Sequence, residues 1–303
     1  MIKLNVGAHS NSLLLWYVQT QLLQSIDFSS QSMFASMHFF EASVPGSKGA
    51  NAIQRCIATE SPVLSLRTLV TSMNKKKYRD DQESFDRYLT RIQKVFRLVA
   101  EALYYLHQKA IVHCNVSPES CGKFESGWRL TGLVGSQYSG KSIHTSRMGH
   151  NLPPEVIVSL HGKSGKREYS IPVATIASPA FDIWAFGKLM FEVLLGKAIL
   201  PHDVSSTEIA HYLGHWNEDD LAHIVSDLEN SGVGTLATDL ITHCLCPRPT
   251  SRPKSFEEIL NHSYWNSSTN VPSSMHRRSR SSVGSVSTSK QKGSGIVKRR
   301  FQV

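Results

Sequence analysis

Chemistry at neutral pH needs groups that exchange protons, bind a metal or attack as nucleophiles. The run His113-Cys114-Asn115-Val116-Ser117-Pro118-Glu119-Ser120 gathers an imidazole, a thiol, an amide, two hydroxyls and a carboxylate in one short stretch. An amide has no useful basicity near neutral pH, so Asn115 cannot act as a general base. Nothing beside Cys114 suggests a depressed pKa, and it reads as a small filler rather than a reactive thiol. No aspartate occurs between Asp86 and Asp182, which leaves this region poor in hard metal ligands. His211 and His215 stand at i, i+4, and His243, Cys244 and Cys246 lie close together. A structural zinc site needs four ligands at matching spacing, and neither group supplies them. Both read as packing or surface residues.

The chain has 303 residues, a formal charge of +9, 40% hydrophobic and 19% charged residues. That is enough apolar material for one large or two medium folded units, and it excludes a disulfide miniprotein, a collagen-like fibre and a wholly disordered chain. No apolar run approaches the roughly 18 residues of a membrane span, and the N-terminus lacks the apolar stretch of a signal peptide. Five cysteines, an odd number, suggest free thiols in a reducing compartment, so a cytoplasmic protein is expected. The charge is uneven. Residues 266–303 carry eight Lys and Arg, 11 serines and no acidic residue, leaving 25 basic against 24 acidic groups in the rest. This composition predicts a disordered basic tail. Its HRRSRSS and VKRRF clusters would suit anionic lipid or nucleic acid through counterion release, a basophilic kinase, or nuclear import.

The elements that must position these groups follow from periodicity. Residues 11–26 carry apolar groups at helical spacing behind Asn11 or Ser12 as cap. Stretches around Met33 to Phe40 and Ile53 to Ala58 read as strands separated by the loop VPGSKGAN. Phe85, Leu89, Ile92, Phe96, Val99, Leu103 and Leu106 alternate steps of four and three, which predicts a long amphipathic helix. Short strands and loops follow to about residue 150. Residues 182–195 are apolar on nearly every side, which predicts a helix buried in the middle of a helical lobe and stopped at Gly196. Further helices are expected near 206–214, 218–229, 235–245 and over SFEEILNHSYW. A few strands followed by many helices indicate an α+β architecture, with a small N-terminal and a larger helical C-terminal lobe.

In this order the segments resemble eukaryotic protein kinases. EALYYLHQKAIVHCNVSPES is similar to the helix and catalytic loop of that family, whose loop reads H-R-D-L-x-x-x-N. Pro153-Pro154-Glu155 resembles its A-P-E motif, Asp182-Ile183-Trp184-Ala185-Phe186-Gly187 its D-x-W-x-x-G motif, and Arg252 in PTSRP its late arginine. The resemblance covers about residues 10–265. It implies a bilobal fold with an incomplete β-rich N-lobe over 1–61, a helical C-lobe over 62–265 and the tail over 266–303.

The same resemblance implies what is lost. In the family the loop aspartate accepts the substrate hydroxyl proton and an asparagine binds magnesium. Here Asn115 takes the base position, which removes roughly 10²–10⁴-fold of proton-transfer catalysis. Ser117 replaces the loop lysine and Ser120 the metal-binding asparagine. RLTGLVGS aligns with D-F-G so that Gly132-Leu133-Val134 stands in its place, and Gly132 has no side chain where the main magnesium carboxylate belongs. A divalent ion neutralising ATP contributes several kcal/mol to phosphoryl transfer.

In the N-lobe, Gln19 falls at the glutamate of the helix αC of the family, with Leu22, Leu23 and Ile26 following. Lys3 is the candidate strand lysine, the alternative being a surface lysine. CIATESP resembles the fifth strand and hinge, with Thr59 as gatekeeper and then Glu60, Ser61 and Pro62. Pro62 has no N–H to offer adenine. Met148 replaces the threonine usual in substrate docking, and the arginine lost at Cys114 is the usual receiver of an activation-loop phosphate.

What the resemblance retains is structural: His113, Leu133 and Leu23 as a hydrophobic spine anchored by Asp182, and a Glu155–Arg252 pair. This pattern is that of a pseudokinase, a scaffold or allosteric partner of signalling proteins such as an active kinase or its substrate, in the cytoplasm or, through its tail, the nucleus. No metal is expected, and ATP only without magnesium. The alternatives are a divergent active kinase with Glu119 or Asp182 as improvised acids, or a kinase-like module of a larger protein.

Overall fold

The computed structural model describes residues 3–5, 20–26, 32–45, 51–72, 81–161, 167–200 and 203–266. Gln19, the first part of the 11–26 helix and all of the tail beyond 266 lie outside these. Residues Met1–Val271 form one compact unit. Helix and strand are mixed, with several small sheets and a group of helices from Pro179 onward, consistent with an α+β kinase-like fold.

The N-terminal sheet has three antiparallel strands: β1 (Lys3–Asn5), β2 (Met37–Pro45) and β3 (Asn51–Thr59), in the order β1-β3-β2. Its register sets Lys3 opposite Thr59. A helical turn, α1 over 20–24, buries Leu22 and Leu23 between β1 and β2 in sequence. The β2–β3 ladder runs out to the pair Pro45↔Asn51, so both strands extend further into the VPGSKGAN stretch than the sequence alone suggests. Proline is tolerated there because it sits at the ladder's end, where a missing N–H costs no interior bond.

Two short elements, β4 (Leu64–Ser65) and α2 (Leu66–Ser72), lead to the long helix α3 (Gln82–Gln108). Asp81 caps α3 by accepting from the Ser84 N–H at 3.1 Å. Its apolar stripe does what its spacing predicts: Ile92, Phe96, Val99, Leu103 and Leu106 are fully buried, and Phe85 and Leu89 pack at the margin. Each such side chain contributes about 1.5–3 kcal/mol relative to leaving it in water.

Then come β5 (Ile111–Val112), β6 (Cys121–Phe124), β7 (Gly127–Leu130), β8 (Gln137–Tyr138) and β9 (Ser142–His144). The strands β10 (Val158–His161), β11 (Arg167–Ser170) and β12 (Ala174–Ile176) follow. Helix α4 (Pro179–Leu195) begins three residues before the expected Asp182, because Ser178 accepts from Ala180 N–H and Pro179 suits the first helical position. It ends at Gly196, whose φ of 60° is the left-handed conformation that favours glycine. Residues Phe181 to Leu194 are all buried, which makes α4 the axis of the helical part.

Around it lie α5 (Ser206–Gly214), α6 (Glu218–Asn230), α7 (Thr235–Cys244) and α8 (Phe256–Leu260). Phe186 on α4 meets Phe96 of α3 and Phe256 of α8 edge to face. Gly187 allows α7 to approach, since a Cβ there would lie 2.6 Å from that of Cys244. The last amphipathic stretch is not one helix. It stops after Leu260, and His262 caps a separate 3₁₀ turn over Ser263–Trp265. Among the described residues no helix is long and apolar enough to cross a membrane.

Candidate functional site

The site is the loop between β5 and β6. Asp182, at the first turn of α4 and wholly buried, reaches it from below. Its carboxylate accepts from the backbone N–H of His113 at 2.7 Å and of Cys114 at 2.8 Å, and His107 Nε2 lies 2.9 Å away. Those bonds fix a strained turn. Cys114 has φ 65°, a left-handed conformation that costs a non-glycine residue of order 1–3 kcal/mol and persists only where its surroundings over-determine it. Burial, then the nearby Asp182 charge, pushes the Cys114 thiol well above its ordinary value, so it is inert as the sequence implies.

His113 is likewise buried. Its Nε2–H donates to the Thr131 carbonyl at 2.8 Å, and its Nδ1 accepts from the Asn115 N–H at 3.3 Å. Both ring nitrogens are therefore engaged in holding the loop. Burial lowers its pKa despite the opposing charge of Asp182.

Asn115 has its orientation set by a buried cation. The Lys188 ammonium on α4 can only donate, and it does so to the His150 carbonyl at 2.6 Å and to Asn151 Oδ1 at 3.2 Å. Asn151 thus turns its Nδ2 outward to Asn115 Oδ1, at 2.7 Å. Asn115 Oδ1 is thereby engaged in this relay, and a neutral amide has no useful basicity near neutral pH.

The relay continues past Lys188. Its ammonium lies 3.6 Å from Glu192 Oε1, an ion pair without hydrogen-bond geometry. Glu192 Oε2 accepts from Arg67 at 3.2 Å, and Arg67 Nε donates to Glu119 at 2.6 Å. Burial alone would raise the Glu119 pKa, but the Arg67 hydrogen bond and charge hold it below its ordinary value. Burial lowers that of Lys188 against the pull of Glu192.

The two serines are also internally consumed. Ser117 N–H donates to Ser120 Oγ at 2.9 Å, Ser120 N–H to Ser117 Oγ at 3.3 Å, and the Ser120 hydroxyl to the Ser117 carbonyl at 2.8 Å. This capping box closes the 3₁₀ turn Pro118–Ser120. Next to it, Gly132 has φ 80°, and a Cβ there would face Ser120 and His113 at 3.5 and 3.7 Å. A donor set of two hydroxyls, each bonded to the other serine's backbone, and a glycine does not suit a divalent cation bound to phosphates, which takes carboxylates in six-fold oxygen coordination. Among the described residues, no group of three or more His, Cys, Asp or Glu side chains is placed to hold a metal.

At the hinge, Thr59 ends β3 and the Glu60 N–H is taken by the Ser36 carbonyl at 3.2 Å. The Glu60 carboxylate pairs with Arg129 on β7 at 2.6 Å, and Pro62 packs on Gly122. Lys3 takes a strand position beside Thr59, while Leu23 and Leu133 are fully buried. Met148 is buried too. Arg252 grips Glu155 with two bonds of 2.8 Å and lies 5.0 Å over the Trp184 ring.

Asn151, Lys188, Glu192 and Arg67 escape a motif-based reading. One signal was available: Lys188 and Glu192 are the charged pair at i, i+4 in an otherwise apolar helix, and buried charges come paired.

No protein-family model matches the chain. It is 25% identical over 178 residues to the probable serine/threonine-protein kinase MARK-C of Dictyostelium discoideum, a match covering 57% of this chain and 20% of that protein. It is 27% identical over 177 residues to the calcium/calmodulin-dependent protein kinase cmkA of Emericella nidulans, covering 56% and 37%. To an Aurora kinase of Debaryomyces hansenii it is 30% identical over 174 residues, covering 54% and 35%. The matched stretch thus spans about a fifth to just over a third of these relatives. With the mixed fold, these similarities support a protein kinase-like superfamily for the chain.

Proposed function

We propose that this protein is a pseudokinase: a kinase-like domain that does not transfer phosphate and acts as a scaffold or allosteric regulator of other signalling proteins. The observation that carries this reading is Asn115, a neutral amide whose Oδ1 accepts from Asn151 Nδ2 where the resemblance implies a catalytic base. Gly132, with no side chain at the position of the metal carboxylate, supports it independently. The improvised acids of an active alternative are otherwise engaged, Glu119 with Arg67 and Asp182 with the loop backbone. The incomplete N-lobe over 1–61, the helical C-lobe over 62–265 and the basic tail over 266–303 belong to the same proposal. So do a cytoplasmic location, nuclear entry through the tail, weak tail contact with anionic lipid or nucleic acid, and ATP binding, if any, without magnesium. A protein partner, an active kinase or its substrate, would read the surface rather than the cleft.

Thermal unfolding with ATP, with and without magnesium, tests this. A ligand at about 100 times its dissociation constant adds roughly 2.7 kcal/mol of stability. No magnesium-dependent rise in Tm and no phosphate transfer to a generic protein substrate are expected. A magnesium-dependent rise together with transfer that Asn115→Ala abolishes would make the chain an enzyme.

A further inference from the structure

Between the Pro153-Pro154-Glu155 turn and α4 the chain makes a detour that returns across the segment following β8. The contacts of that detour are specific. Gly140 N–H donates to the Ala177 carbonyl and Ala177 N–H to the Lys141 carbonyl, both at 2.9 Å. β12 then pairs antiparallel with β9, as Ile176↔Ser142, Thr175↔Ile143 and Ala174↔His144. Thr145 N–H donates to the Val173 carbonyl at 3.0 Å, and the buried Thr145 hydroxyl to the Pro172 carbonyl at 2.6 Å. Residues 141–145 are matched one by one by residues 173–177.

Each end is fastened to the rest of the fold. On one side, β8 pairs with β5, and Ser139 N–H donates to the Ala110 carbonyl at 2.7 Å. On the other, the Tyr169 ring of β11 sits on Gly214 of α5, where a side chain would overlap it, and meets His215 edge to face with centroids 4.5 Å apart. Ile143 and Ala177 are buried between these anchors.

We infer that residues 172–177 are a built-in strap that holds segment 139–145 in one conformation without phosphorylation. Phosphorylation can order a segment by adding a charge pair. Here backbone pairing supplies that order without one. The strap acts whether or not the chain transfers phosphate, so its test is separate from that of the function proposed above.

The test is hydrogen–deuterium exchange on the full chain after phosphatase treatment, followed in peptides covering 139–145. Protection is expected in the phosphate-free protein. Thr175→Pro removes the N–H at the centre of the ladder, and exchange over 141–145 should then accelerate about tenfold or more, while protection in α4 stays unchanged. Thr145→Val, which keeps the shape and deletes the bond to Pro172, gives a smaller acceleration in the same peptide and serves if Thr175→Pro does not fold. Unprotected amides over 139–145 in the phosphate-free protein, or exchange there indifferent to both substitutions, overturns the strap.

Discussion

The loop His113 to Ser120 and the ground beneath it differ sharply in what their polar groups are free to do. Beneath, Asp182 is a buried ionic anchor, and the buried Arg252 grips the more exposed Glu155; every carboxylate oxygen of the two acids faces a donor. In the loop, Asn115, Ser117 and Ser120 are neutral, and the serines bond to each other's backbone while Asn115 bonds to Asn151. The fold needs the first set because an unpaired buried charge or N–H costs more than a bond gains. Nothing in the fold needs a loose carboxylate in the cleft. The contrast is between anchors that maintain the loop's shape and loop side chains that bond locally.

Substitutions that break this contrast rank by how deep the group lies. Arg252→Met removes two charge-assisted bonds to Glu155, the bonds to the Cys246 and Ala180 carbonyls and the cation above Trp184, and should lose about 3 kcal/mol in urea denaturation. Asp182→Asn turns one acceptor into a donor against the loop N–H groups and should lose about 2–3 kcal/mol by the same measurement. In the loop itself, Asn115→Ala should lose no more than about 1–1.5 kcal/mol, the worth of one neutral hydrogen bond. If Asn115→Ala proves as damaging as Asp182→Asn, the division between anchors and loop fails.

Two pH effects sharpen it. His113 has a folded pKa below its unfolded value near 6.5, so its neutral form is what the fold accommodates. As pH falls below about 6.5 the unfolded chain binds a proton that the folded one does not, and stability declines; a His113→Phe variant should show a flatter slope in denaturation from pH 7 to 5. Lys188 also has a lowered pKa, so the unfolded chain holds the extra proton at alkaline pH. Stability should therefore rise, relative to Lys188→Met, as pH climbs toward the lysine's ordinary value near 10.5. The smallest effect concerns Cys114: alkylation by iodoacetamide, read by mass spectrometry, should leave it unmodified in the folded protein and modify it after denaturation.

Much of the architecture was legible in one dimension. The alternating three- and four-residue steps from Phe85 to Leu106 yield α3, and the all-round apolarity of 182–195 yields the central helix, since burial is read directly from such patterns. Asp182 under the loop and Glu155 against Arg252 were expected from motif order alone. Chain ends of elements were less clear. The Ser178-Pro179 start of α4 and the break after Leu260 depend on caps that compete with periodicity.

Sequence alone specifies which groups stand at 115 and 132, an amide and a hydrogen, neither basic nor anionic in any conformation. Where the remaining polar groups point was decided only in three dimensions. Lys188, 73 positions from Asn115 in sequence, fixes that side chain through Asn151, and residues 172–177 fasten a segment some thirty positions earlier. Hydrogen bonds act at about 3 Å, and only folding brings groups so distant along the chain within that reach.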